Sequence, residues 1–205
     1  MMANIWKNAV MGLVIGDALG MPVQFVDRGE IKKHPIEKME GYGTYNMPPG
    51  TWSDDSSMAI ATLVSLQEKN GIDYRDIMER FVSWTTKGEY TPAGKAFDQG
   101  NTCMEAIGRY MITKDYKTCG KTGERANGNG ALMRIMPVCL YAYEKVKGME
   151  WPVGKRWRPY IRFLLLLIIT YALRWHAVFI SLWFVIYWRE KAPCRSDCRK
   201  VWMKQ

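Results

Sequence analysis

The chain has 205 residues, enough for one ordinary domain that buries a core without disulfides or a structural metal. Its 48% apolar and 24% charged residues exclude wholesale disorder. The net charge of +9 is not spread evenly: residues 1–150 hold 18 basic and 18 acidic side chains, so the excess lies wholly in residues 151–205, which excludes a uniformly basic nucleic-acid binder.

In chain order, residues 5–15 are mostly apolar and predict a buried helix that runs into a glycine-rich turn at Gly12 and Gly16. Residues 27–51 contain Gly29, Pro35, Gly41, Gly43, Pro48, Pro49 and Gly50 and predict a long loop, of a length usually reserved for function. Residues 55–69 predict a central helix, apolar on most sides through Met58, Ile60, Ala61, Leu63, Val64 and Leu66. Residues 74–86 carry amphipathic spacing through Tyr74, Ile77, Met78, Phe81 and Trp84, and residues 102–112 repeat it through Met104, Ile107, Tyr110 and Met111. Residues 130–146 predict another apolar helix after a glycine-rich loop. No useful strand alternation and no internal repeat is present, so the expected class is all-α.

Three loops can carry chemistry. Ser53-Asp54-Asp55-Ser56 places adjacent carboxylates and hydroxyls at a helix start. Capping explains the acids, and a hard-ligand cluster for Mg²⁺ or Ca²⁺ explains the whole set; residue spacing leaves both open. Gly12, Gly16 and Gly20 recur at four-residue intervals, which suits either close helix packing or backbone approach to a ligand. Asn127-Gly128-Asn129-Gly130 opens towards Arg134, one turn into the predicted helix. Backbone N–H groups and an arginine there suit a phosphate, and a structural arginine is the alternative.

Gly16-Asp17-Ala18-Leu19-Gly20-x-Pro22, Trp52-Ser53-Asp54-Asp55-Ser56, Phe97-Asp98-x-Gly100-Asn101-Thr102 and Gly128-Asn129-Gly130-x-x-Met133-Arg134-x-x-Pro137 together resemble the ADP-ribosylglycohydrolase family, in order over residues 5–148. The resemblance implies an all-helical, mostly orthogonal bundle with a binuclear Mg²⁺ (or Mn²⁺) centre. It implies hydrolysis of the glycosidic bond between ADP-ribose and a protein side chain or a related ADP-ribosyl compound. By the same resemblance Ser53, Asp54 and Asp55 are metal ligands, with Asp54 and Asp55 catalytic. Gly100 and Asn101 lie beside the ribose, Gly128, Asn129 and Gly130 hold the ribose and diphosphate, and Asp17 supports the metal loop. The chain departs from the pattern at Gln24, where many relatives carry Glu.

The resemblance also calls for a late Asp-x-Asp-Thr/Ser metal motif and a Thr-His pair. Neither occurs after Asp55, and the late histidine, His176, follows Trp175. The expected domains are therefore a family-like portion, 1–150, and a basic, Trp-rich apolar tail, 151–205. With late helices missing, Met136, Leu140 and Tyr143 are expected to lie partly uncovered. The tail holds one glycine of 18 and six tryptophans of nine. Its apolar runs 163–173 and 177–188 flank Arg174-Trp175-His176, and a central arginine costs a membrane span ~2.5–3.5 kcal/mol or more. A tail read out of frame is the favoured account. Codons begun at the third base of the preceding one turn Trp175-His176 into alanine, and wobble choices across 165–191 permit an amphipathic stretch that begins Ser-Thr-His. The expected protein is a cytoplasmic hydrolase impaired by loss of the second metal motif, with an ADP-ribosylated protein or small ADP-ribosyl compound as partner and no nucleic acid. A non-catalytic ADP-ribose-binding module and a small protein with a C-terminal membrane anchor are the alternatives. Five cysteines without a second close pair fit reduced thiols, and the N-terminus lacks the pattern of a secretory signal.

Overall fold

The computed structural model describes residues 2–122 and 128–146. Six α-helices follow in order: α1 (Met2–Gly20), α2 (Arg28–Lys33), α3 (Asp54–Glu68), α4 (Tyr74–Lys87), α5 (Asn101–Thr113) and α6 (Met136–Val146). Among the described residues there is no strand, as the sequence predicts, and no helix long and apolar enough to cross a membrane. The readings that concern the tail, including the frame and anchor readings, His176, Cys194 and Cys198, fall outside the described residues.

Helix α3 is the axis. It packs against α4, α6 and α1, and its small residues make that possible. Ser56, Ser57, Ala59, Ala61, Thr62 and Ser65 are buried beside Met58 and Leu66. Two of the hydroxyls spend themselves inside the helix, Ser57 Oγ donating to the Ser53 carbonyl at 2.8 Å and Thr62 Oγ1 to the Met58 carbonyl at 2.9 Å. Back-bonding of this kind lets a polar side chain sit in a core without stranding its donor.

Helix α4 supplies the large side chains. Asp73 caps it by accepting from the Arg75 and Asp76 amides, both at 3.0 Å, and Gly88 ends it in the left-handed region at φ +69°. Between the caps, Ile77, Met78, Phe81 and Trp84 face inward, and Trp84 is 0% exposed. They meet Cys103, Ile107 and Tyr110 of α5, and Val138 and Cys139 of α6. Arg80 is held on the α4 flank by Asp76 (2.7 Å), Glu68 (2.6 Å) and the Tyr90 hydroxyl (2.9 Å).

Five expectations are corrected. Helix α1 does not turn at Gly12 or Gly16 but continues to Gly20. Each glycine costs a helix about 0.8–1 kcal/mol relative to alanine, less than the helix gains from its neighbours, and the break waits for Pro22 in the 3-10 turn Met21–Val23. A Cβ at Gly12, Gly16 or Gly20 would meet nothing within 4 Å, so these glycines do not serve close packing among the described residues. The loop 27–51 contains α2, capped by Asp27 through the Gly29 amide at 2.7 Å. Helix α6 starts at Met136 rather than at residue 130, because Pro137 fits a first turn but would break a ladder further in. Leu140 is 3% exposed, so it is covered; Met136 is half-buried, and the Tyr143 side chain is outside the described residues.

Two outcomes follow for stability. Trp84→Ala should lower the unfolding free energy by ~3–5 kcal/mol, read from urea denaturation of the full chain. Burial opposes ionisation of Asp76, but the Arg80 hydrogen bond and the Arg80 and Lys69 charges outweigh it and hold its carboxyl below the usual range. A depressed folded-state pKa gives stability that is complete above the ordinary carboxylate pKa of ~3.9 and is lost as pH falls through the depressed value. The urea midpoints of the native chain and Asp76→Asn should therefore differ at pH 7 and converge in acid.

Candidate functional site

The N-terminus of α3 is fastened to α1 by one carboxylate. Asp17 Oδ2 accepts from the Ser53 amide (3.0 Å), the Ser56 amide (3.0 Å) and the Ser56 hydroxyl (2.6 Å), while Oδ1 accepts from the Ser53 hydroxyl (2.7 Å). Ser53 is at the same time the N-cap of α3, its Oγ accepting from the Asp55 amide at 3.4 Å. The preceding residues are also anchored: Thr51 Oγ1 donates to the Pro48 carbonyl at 2.7 Å and Trp52 Nε1 to the Tyr90 carbonyl at 3.1 Å. With the helix start locked, the directions of Asp54 and Asp55 are set.

These carboxyls are electrostatically loaded. Burial, then the charges of Asp55, Asp98 and Asp17, push Asp54 up to about 8, against an opposing pull from Arg134. Burial, then Asp17 and Asp98, push Asp55 up to about 6. A helix N-terminus favours acids by ~0.3–1 kcal/mol, so capping does not account for two acids held at this cost. Hard oxygen donors whose ionised forms are penalised in this way suit a divalent cation such as Mg²⁺ or Mn²⁺, whose charge would offset the penalty. Ser53 retains one lone pair after its capping and Asp17 bonds. Among the described residues no group of three or more His, Cys, Asp or Glu side chains converges as a ready ligand shell.

The glycine motifs meet each other. A Cβ on Gly128 would lie 2.7 Å from Thr102 Oγ1, and one on Gly130 would lie 2.2 Å from Cys103 Sγ. The loop at 128–130 is therefore pressed onto the first turn of α5, directly after Gly100 and Asn101. Gly100 precedes that helix with no side-chain cap, which leaves its first amides without a capping side chain. Asn129 and Asn101 are exposed, and the Asn129 carbonyl accepts from the Leu132 amide at 2.8 Å. Asp98, two residues before Gly100, joins this corner to the Asp54–Asp55 pair through its charge.

Arg134 does not reach towards a ligand. It is 5% exposed, its guanidinium lies 4.7 Å from the Phe81 ring centroid, and Nη1 is 2.9 Å from Met58 Sδ and 3.6 Å from Cys103 Sγ. The structural alternative raised by the sequence is the correct one. Two residues of the site escaped the sequence reading as such. Asp98 was present in a motif without a role, and Tyr45, whose hydroxyl donates to Asp98 Oδ1, sits in an irregular loop 53 residues away with no periodicity to mark it.

A family model described as ADP-ribosylglycohydrolase matches residues 5–150. The ADP-ribosylarginine hydrolase Tri1 of Serratia proteamaculans is 33% identical over 135 residues, 66% of this chain and 36% of that protein. The ADP-ribosyl-(dinitrogen reductase) glycohydrolase of Rhodospirillum rubrum is 39% identical over 135 residues, 65% of this chain and 43% of that protein. A solved ADP-ribosylglycohydrolase-related protein complex superposes with a TM-score of 0.65 at 27% identity, covering 88% of this chain and 55% of that one. The chain thus matches about two fifths of the length of these two relatives.

Asp17→Asn should cost ~1–3 kcal/mol, because an amide cannot accept the full set of four bonds and leaves buried donors unmet. Hydrogen exchange at the Ser53 and Ser56 amides should rise in step. Gly130→Ala should destabilise by a similar ~1–3 kcal/mol through overpacking against Cys103, and the penalty in a thermal melt should shrink when Cys103→Ala is added.

Proposed function

Because this chain belongs to the ADP-ribosylglycohydrolase family, we propose that it is a divalent-cation-dependent hydrolase of the glycosidic bond linking ADP-ribose to a protein side chain or a related ADP-ribosyl compound. The observation that carries this reading is the Asp17 clamp, which presents Asp54 and Asp55 as a rigid, charge-loaded pair. The relatives named above act on ADP-ribosylarginine and on ADP-ribosyl-dinitrogen reductase, and a modified protein is the matching partner here. The family-like portion ends near residue 150 in this reading.

The family is generally metal-dependent, and the donor set fits the requirement. Asp54, Asp55 and the remaining lone pair of Ser53 would hold Mg²⁺ or Mn²⁺, with water completing the shell. When bound, the ion polarises a water and orients ribose hydroxyls. The residues of the chain do the rest. Cleavage at C1″ develops positive, oxocarbenium-like charge on the ribose, and the Asp98 carboxylate beside the pair stabilises it. Gly100, Asn101 and the loop Gly128, Asn129 and Gly130 would offer backbone amides to ribose and diphosphate oxygens, and side chains at Gly128 and Gly130 would push that loop off Thr102 and Cys103 of α5. Holding the sugar in line with its attacking water is a term worth up to ~7–11 kcal/mol.

A second reading, a non-catalytic ADP-ribose-binding module, is supported by the glycine loop at 128–130, packed on the start of α5, which would offer a ligand surface that needs no metal. Titration of the full chain with Mn²⁺ and with ADP-ribose, beside an ADP-ribose release assay on modified protein, distinguishes the two. Native chain should bind Mn²⁺, and the double variant Asp54→Ala, Asp55→Ala should bind at least ~10-fold more weakly. Release should depend on Mg²⁺ and be faster in the native chain than in that variant. Release equal to the variant's with ADP-ribose still bound would favour the binding module, and unchanged Mn²⁺ binding in the variant would reduce the pair to a helix cap.

A further inference from the structure

Tyr45 lies in the loop between α2 and α3, outside every motif of the resemblance. Its hydroxyl donates to Asp98 Oδ1, and its ring packs on Phe97 with centroids 5.5 Å apart at 56°. The loop that carries it is anchored at the foot of α1. The Thr44 amide donates to the Pro22 carbonyl at 2.9 Å, and Thr44 Oγ1 donates to the Gln24 carbonyl at 2.6 Å. A Cβ at Gly43 would lie 1.9 Å from the Pro22 carbonyl oxygen, so the strand of loop is laid directly on that backbone. Consecutive residues Thr44 and Tyr45 therefore bridge the α1 side of the site to the α5 side.

Asp98 needs such a tether. It has φ +53°, a left-handed conformation that a non-glycine residue keeps only when its surroundings hold it there. Its charge also acts on Asp54 and Asp55, and repulsion from that pair favours a rotamer turned out to solvent. A phenol hydroxyl aimed at Oδ1 opposes both tendencies. Burial, followed by the bond to Asp98, raises the Tyr45 pKa, so the group stays a donor through the physiological range.

We propose that Tyr45 is a positioning residue of this site: its hydroxyl fixes the Asp98 carboxylate towards the Asp54–Asp55 pair, and Asp98 so held adds to the field that binds the divalent cation. This rests on the reading of Asp54 and Asp55 as cation ligands. Tyr45→Phe removes the hydroxyl alone and leaves the ring on Phe97, so circular dichroism should be unchanged.

The test is Mn²⁺ titration of the full chain by electron paramagnetic resonance for the native protein, Tyr45→Phe, Asp98→Asn and the double variant. Tyr45→Phe and Asp98→Asn should each raise the Mn²⁺ dissociation constant by about 10-fold, the usual scale for a partner one shell removed from a metal. The double variant should be no weaker than Asp98→Asn, because both changes remove one linked function. An unchanged Mn²⁺ constant in Tyr45→Phe, with or without a lower melting temperature, overturns the proposal, as do additive losses in the double variant. A native chain that binds no Mn²⁺ overturns the reading of the site itself, a result distinct from native binding that Tyr45→Phe leaves intact.

Discussion

The carboxylate of Asp17 is the constraint on which the site depends. It gathers four donors from Ser53 and Ser56, so the first turn of α3 cannot rotate or fray without stranding buried polar groups. Charge-assisted hydrogen bonds of this kind are the strong ones, and their cost when broken exceeds their net value when made. The same four bonds join α1 to α3. Fold and site are therefore coupled at this point, since loosening the clamp would release both the α1 packing and the direction of Asp54 and Asp55.

The clamp makes possible an arrangement that electrostatics disfavours. Asp17, Asp54, Asp55 and Asp98 act on one another, and the ionised forms of Asp54 and Asp55 are penalised first by burial and then by their neighbours. The structure opposes this only in part, through Arg134, which is itself buried against Phe81 and near Met58. Carboxyls whose ionised forms are penalised by burial and by one another concentrate at functional sites more often than at helix caps. The neighbouring corner has a different character. There Gly128 and Gly130 trade side chains for proximity to α5, and amides replace carboxylates as the chemical resource. A carboxylate-rich corner and a glycine-rich one thus stand side by side.

The core behind these loops is organised to keep them still. Helix α3 uses small and hydroxylated residues so that α1, α4 and α6 can all approach it, and α4 contributes Phe81 and Trp84 as bulk. Trp52 and Tyr45 then carry the rigidity outward, one to the loop after α4 and the other to the loop before α5. Rigidity in this corner is a matter of long-range bonds between loops rather than of any single helix.

Much of this was legible in residue order. Apolar spacing located α4 and α5 to within a residue, because each buries one stripe and the stripe repeats with the helical period. The acid pair at the start of α3 and the glycine motifs were visible as residue types that could carry chemistry, with capping and turn roles left open beside it. The partition of charge at residue 150 is likewise a property of composition alone. What only the tertiary structure decided are contacts between distant segments. Local rules place a turn at Gly12 and Gly16, yet α1 runs on to Gly20, because its tertiary neighbours outweigh a weak propensity. Arg134 looked free to meet a phosphate, but the helix starts after it and folds it inside. Tyr45 and Asp98 are 53 residues apart and meet through a left-handed backbone at Asp98 that no pattern announces. Periodicity reports which face of an element is buried; it carries no information about which loop from elsewhere in the chain will close over that element's end.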